Sequence, residues 1–181
     1  MAKTKSQGNR ATESGQKFEK EFAKFLRDIC NLTVLNKKNE FVKHGVRDLY
    51  ETLRKIRHPP GWDDDILAKS GKRGSETDGI ILEFGLPFEH KGGNTAGSTT
   101  EKIWWEWKKL QEGINPNRFL YVFAGRAENE FHARKFTREI NKMRESGDKN
   151  FTHVYCVKQS ELTTKWLDAR FERVRNVTLL D

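Results

Sequence analysis

A chain of 181 residues with 35% hydrophobic residues and no long apolar run fits one folded domain and excludes a membrane span. Its 34 Lys and Arg against 26 Asp and Glu give a net charge of +8, which favours polyanionic partners without choosing among DNA, RNA and acidic proteins. The polar, basic start from Met1 to Arg10 lacks the apolar segment of a secretory signal, and Cys30 and Cys156 suit reduced thiols, so a cytoplasmic protein is expected.

Residues 1–14 read as a flexible basic tail, and 15–181 as a single domain with an inserted segment around 36–74. Phe18, Phe22, Phe25, Leu26 and Ile29 recur at helical spacing and predict a first helix. Leu32 to Leu35 reads as a strand, and Val46 to Ile56 as a second helix that ends at His58, Pro59, Pro60 and Gly61, because proline cannot continue the helical hydrogen-bond ladder. Trp62 to Ala68 is a further strand candidate, followed by a Gly- and Lys-rich loop to Gly74. Asp78 to Phe84 and Phe88 to Lys91 form a hairpin pattern around Gly85, Leu86 and Pro87. Thr99 to Gln111 is helical, with Ile103, Trp104, Trp107 and Leu110 on one face. Phe119 to Ala124 is a continuous apolar run, as in a strand covered on both sides. A helix over Glu128 to Glu145, a strand over Phe151 to Val157 and a helix over Glu161 to Phe171 complete an α/β order, a mixed β-sheet flanked by helices.

The hairpin carries the chemistry. Side chains alternate along a strand, so Glu89 and Lys91 share a face that Phe88 and His90 do not. In an antiparallel hairpin the start of one strand lies beside the end of the next, which brings Asp78 to Glu89 and Lys91. Two carboxylates suit a hard divalent cation such as Mg²⁺, which takes oxygen ligands and keeps waters and substrate phosphate. A phosphodiester and a water on that cation would be activated together, with Lys91 orienting the water and neutralising charge on the phosphate.

Asp78 and the Glu89-His90-Lys91 triplet resemble the motif of the PD-(D/E)XK nuclease superfamily, with Thr77 in place of its nominal proline. Glu19 on the first helix matches the glutamate that family members often direct to the metal. Gly92, Gly93 and the run from Gly97 to Ile103 look like the loop and helix start of small type II restriction endonucleases. The resemblance implies the restriction-endonuclease-like fold and Mg²⁺-dependent, sequence-specific hydrolysis of double-stranded DNA by a homodimer. In that reading Asp78 and Glu89 bind metal, Lys91 activates or positions water, and Glu19 assists. Lys69, Lys72 and Arg73 before the hairpin, and Ser98, Thr99, Thr100 and Lys102 at the following helix start, are candidate DNA contacts. A Holliday-junction resolvase or repair nuclease of the same fold is the nearest alternative. A non-catalytic basic nucleic-acid-binding protein would use the same charge without a metal, and Glu89 and Lys91 would then be an exposed ion pair worth under ~1 kcal/mol.

Other residues draw blander expectations. Glu83 points away from Asp78 and reads as exposed, and Asp63, Asp64 and Asp65 as a solvated run. His90 packs or touches DNA rather than catalysing, and His44, His58, His132 and His153 lack zinc-ligand spacing. Trp104 and Trp107 read as core, and Trp105 as an interface residue.

Overall fold

The computed structural model describes residues 19–51, 77–93 and 98–174, which form a five-stranded mixed sheet with helices on both faces. In chain order the elements are α1 (19–28), β1 (Val34–Leu35), α2 (Lys38–Lys43), a helical turn α3 (Arg47–Leu49), β2 (Gly79–Ile81), β3 (Leu86–Gly93), α4 (Ser98–Gln111), β4 (Arg118–Gly125), α5 (Phe131–Glu145), β5 (His153–Lys158) and α6 (Thr164–Asp168). The strands lie in sequence order. β1, β2 and β3 are antiparallel neighbours, whereas β3, β4 and β5 run parallel and are joined by the crossover helices α4 and α5.

Strand alternation assigns the two faces. Leu86 and Phe88 of β3, with Leu120 and Val122 of β4, pack beneath Phe22 and Leu26 of α1 and Leu167 of α6. On the opposite face Phe119, Tyr121 and Phe123 of β4 meet Ile103 and Leu110 of α4 and Ala133, Phe136 and Ile140 of α5. β4 is therefore buried on both faces, as its uninterrupted apolar run predicts. A third cluster closes the β1–β2 edge, where Phe41 and Leu49 cover Leu35 and Ile80. Cys30 and Cys156 are free thiols packed against clusters on opposite faces of the sheet. No helix among the described residues is long and apolar enough to cross a membrane.

Several elements depart from the sequence expectation. The predicted strand from Asp78 to Phe84 ends at Ile81, because Leu82–Phe84 coils into a 3₁₀ turn closed by Gly85 at φ 54°, a left-handed conformation that suits glycine. The sequence predicts no helix where α2 lies, and the second predicted helix is described only as far as residue 51. The strand proposed for Trp62 to Ala68 lies outside the described residues. Chain direction changes in a 3₁₀ turn at Arg126–Asn129, so α5 starts at Phe131 rather than Glu128. Likewise Gln159–Glu161 is a 3₁₀ turn, and α6 is shorter than the predicted final helix. Ile29 falls just past the end of α1 and is 73% exposed, so the apolar stripe stops at Leu26.

One glycine is held by close approach. A Cβ added to Gly79 would stand 2.8 Å from the Phe88 ring and 3.2 Å from the Leu35 carbonyl oxygen. The Phe88 ring is itself buried edge-on against Phe22, so it has little room to yield. Gly79→Ala is expected to destabilise the fold by about 1–3 kcal/mol, the usual cost of overpacking. Urea denaturation measures it, and a variant as stable as the wild type would show that the β1–β2–β3 packing relaxes freely.

Candidate functional site

The β2–β3 register puts Gly79 opposite Phe88, so Asp78 lies at the end of β2 beside Glu89. Asp78 is latched to β3 twice. Its backbone N–H donates to the Phe88 carbonyl at 3.1 Å, and its Oδ2 accepts from the His90 backbone N–H at 2.7 Å. Glu89 and Lys91 lie on the face that carries Tyr121 and Phe123 in the neighbouring strand, under α4. Lys91 Nζ donates to Glu89 Oε1 at 2.5 Å. Asp78, Glu89 and Lys91 are thus brought together as the alternation predicts.

The pair is not the exposed surface ion pair of the blander reading. Both side chains are only 11% exposed. A further carboxylate explains how Lys91 is accommodated: Glu106 of α4, 4% exposed, places Oε1 3.4 Å from Lys91 Nζ and 2.8 Å from Lys109 Nζ. Its Oε2 accepts from Asn115 Nδ2 and from the Tyr121 hydroxyl, both at 3.2 Å. Glu106 was missed in the sequence, although a signal was present. It stands three residues after Ile103 and four before Leu110, a charge placed on the apolar stripe of its helix. Trp104, read as core, is instead 59% exposed beside Lys108, while Glu106 occupies the inward position. Trp105 is exposed as expected.

The charges respond to one another. Burial, reinforced by Asp78, pushes the Glu89 carboxyl up to about 8 despite the opposing pull of Lys91. Burial alone would lower Lys91, but Glu89, Glu106 and Asp78 outweigh it and hold the ammonium above its ordinary range. Burial would likewise raise Glu106, yet Lys91 and Lys109 keep it below the usual carboxylate range. Among the described residues, Asp78, Glu89 and Glu106 face the ammonium groups of Lys91 and Lys109. A proton on Glu89 or a cation can offset carboxylate charge there.

The donor set fits a hard divalent cation. Asp78 and Glu89 offer carboxylate oxygens side by side, and Mg²⁺ is commonly held by one or two carboxylates plus waters. Among the described residues no group of three or more His, Cys, Asp or Glu is placed to hold a metal, so of these residues Asp78 and Glu89 would hold it.

His90 points to the opposite face, as alternation requires. Its ring stacks on Phe22 at 4.4 Å, Nε2 lies 3.0 Å from Gln159 Oε1, and Nδ1 is buried without a hydrogen-bond partner. Packing is its role. Burial lowers its pKa from 6.5 to about 4. Between these values the unfolded chain takes up a proton that the folded chain refuses, so His90 costs stability as pH falls below 6.5. Glu89 acts in the opposite sense, because its raised pKa costs stability as pH rises from 4.5 towards 8. His90→Phe isolates the histidine contribution. From pH 7 to pH 5 the wild type is expected to lose about 2 kcal/mol relative to the variant, at about 1.4 kcal/mol per pH unit. Urea denaturation in EDTA measures the difference, and a constant gap would mean that His90 titrates normally.

Glu19 is exposed at the first described residue of α1, three residues before Phe22. The electrostatic influences on Glu89 include Asp78, Lys91, Glu106 and Lys109. Ser98, Thr99, Thr100 and Lys102 occupy the first turns of α4, whereas Lys69, Lys72, Arg73 and the three aspartates at 63–65 lie outside the described residues. Lys109, a basic residue that also suits DNA, is committed to Glu106 instead. Glu83 is not exposed: its Oε1 accepts from the Thr33 N–H at 2.8 Å and its Oε2 is buried without a partner, because the 3₁₀ turn swings it towards the loop before β1. No family model, curated protein or solved structure matches the chain.

Proposed function

We propose that the chain is a Mg²⁺-dependent endonuclease of the PD-(D/E)XK type, with the restriction-endonuclease-like fold, that cleaves double-stranded DNA sequence-specifically as a homodimer. One observation carries the reading: Asp78, Glu89 and Lys91 converge at one sheet end, with Glu89 and Lys91 largely buried. A basic chain with such a carboxylate cluster suits a polyanion backbone that reaches the protein together with a cation.

Asp78 and Glu89 would hold Mg²⁺, which when bound polarises the scissile phosphate and makes its water a better nucleophile. Asp78 is pre-oriented by the His90 N–H, so its carboxylate needs little reorganisation. Lys91 is held protonated, which makes it a donor and a positive charge beside the phosphate rather than a base. Glu19 would assist from α1, which packs on the sheet face opposite Glu89 and Lys91, by reaching the cation round the sheet end. Ser98, Thr99, Thr100 and Lys102 would meet phosphates where α4 begins, and Lys69, Lys72 and Arg73 would add contacts from the preceding segment.

Linear duplex and four-way-junction DNA, each incubated with Mg²⁺ or EDTA, test the substrate. Discrete Mg²⁺-dependent fragments from the linear duplex are expected. Cleavage confined to the junction would move the assignment to a resolvase, and a smear would remove sequence specificity.

A further inference from the structure

We propose that Glu106 is a positioning residue for Lys91, which holds the Lys91 ammonium when Glu89 engages a divalent cation. The inference rests on the reading of Asp78 and Glu89 as the cation's carboxylates. Lys91 Nζ has two buried carboxylates within reach, Glu89 Oε1 at 2.5 Å and Glu106 Oε1 at 3.4 Å. Only the first belongs to the proposed cation site.

Lys91 would share Glu89 Oε1 with a bound cation and would be repelled by its charge. A buried ammonium that loses its partner is costly, so the place available to Lys91 governs how readily the cation enters. Glu106 is fixed to provide that place. Asn115 Nδ2 and the Tyr121 hydroxyl hold its Oε2, Asn115 Nδ2 also lies 2.8 Å from the Tyr121 oxygen, and Lys109 Nζ holds its Oε1. These partners come from α4, the α4–β4 connection and β4, so the carboxylate is braced from three directions. Each proposed cation ligand lies on the hairpin, whereas Glu106 comes from a different element. It can therefore retain Lys91 while Glu89 changes partner.

Losing such a brace should weaken cation binding about tenfold, within the range found for groups that orient metal ligands. The test titrates Mn²⁺ into the full-length wild type, Glu89→Gln, Glu106→Gln and Glu106→Asp, reading free Mn²⁺ by electron paramagnetic resonance, with thermal melts as a check on folding. Wild type should bind, Glu89→Gln should lose binding, and both Glu106 variants should bind about tenfold more weakly. Glu106→Asp keeps the charge but withdraws it from Lys91 by one methylene. Wild-type affinity in Glu106→Asp with a loss in Glu106→Gln would reduce Glu106 to a distant charge and overturn the proposal. Wild-type affinity in both would overturn it as well, while the Asp78–Glu89 site stood. No Mn²⁺ binding by wild type, or undiminished binding by Glu89→Gln, would instead remove the underlying cation site. Should Glu106→Gln fail to fold, Tyr121→Phe removes one hydroxyl that braces Oε2. It is expected to weaken Mn²⁺ in the same direction, and unchanged affinity would count against the proposal.

Discussion

Lys91→Met is expected to destabilise the fold by about 3–5 kcal/mol, the cost of removing one member of a buried ionic group. Lys91 lies between Glu89 and Glu106, and without it Glu89 loses its ammonium partner while Glu106 keeps Lys109. Protonating Glu89 relieves part of that penalty, and its carboxyl is already pushed up to about 8. The destabilisation relative to wild type should therefore grow mainly above pH 8, where wild-type Glu89 ionises beside Lys91 and the variant's carboxyl holds its proton. Lys91→Met combined with Glu89→Gln should recover much of the loss, because replacing both members of a buried pair is far less costly than stranding one. Urea denaturation of the two variants from pH 6 to pH 9 measures these effects. A Lys91→Met protein within about 0.5 kcal/mol of wild type, the range of ordinary surface substitutions, would contradict the buried network. The same burial makes lost activity in a Lys91 truncation ambiguous, since folding and chemistry fail together.

Glu89→Gln separates the two. The substitution is nearly isosteric, and Lys91 keeps Glu106 as a partner. Burial and Asp78 oppose a charge at position 89, so the variant should be at least as stable as wild type near pH 8 and lose that advantage towards pH 4.5. Its cleavage rate should fall by about 10²–10³-fold or more, the effect of removing one pre-organised electrostatic group from an active site. An enzyme that gains stability as it loses activity carries charges placed for chemistry rather than for folding. Thermal melts and single-turnover cleavage on the same preparations read both quantities. A destabilised but active variant would assign Glu89 to the fold.

The hairpin was legible because period-two alternation and antiparallel pairing suffice to bring Asp78, Glu89 and Lys91 together, and the register agrees. The α/β order was legible for a related reason, since the apolar run of β4 and the stripes of α1 and α4 report which faces are covered. Glu106 was not seen as part of the site, because its partners are distant in sequence: Lys91 precedes it on another element, and Tyr121 follows on β4. Helical spacing also does not fix where a stripe is centred. Placing the face of α4 one residue away turns Trp104 outward and Glu106 inward. Glu83 escaped notice because strand alternation ceases to apply once Leu82–Phe84 leaves the strand for a 3₁₀ turn.

Digestion of long unmethylated linear DNA by wild type and Glu89→Gln, each with Mg²⁺ or EDTA, tests the assigned chemistry most directly, since long DNA contains most short recognition sequences. Discrete fragments from the wild type with Mg²⁺ alone, absent in EDTA and in the variant, are the predicted result. Fragments that persist in EDTA or in Glu89→Gln would contradict it.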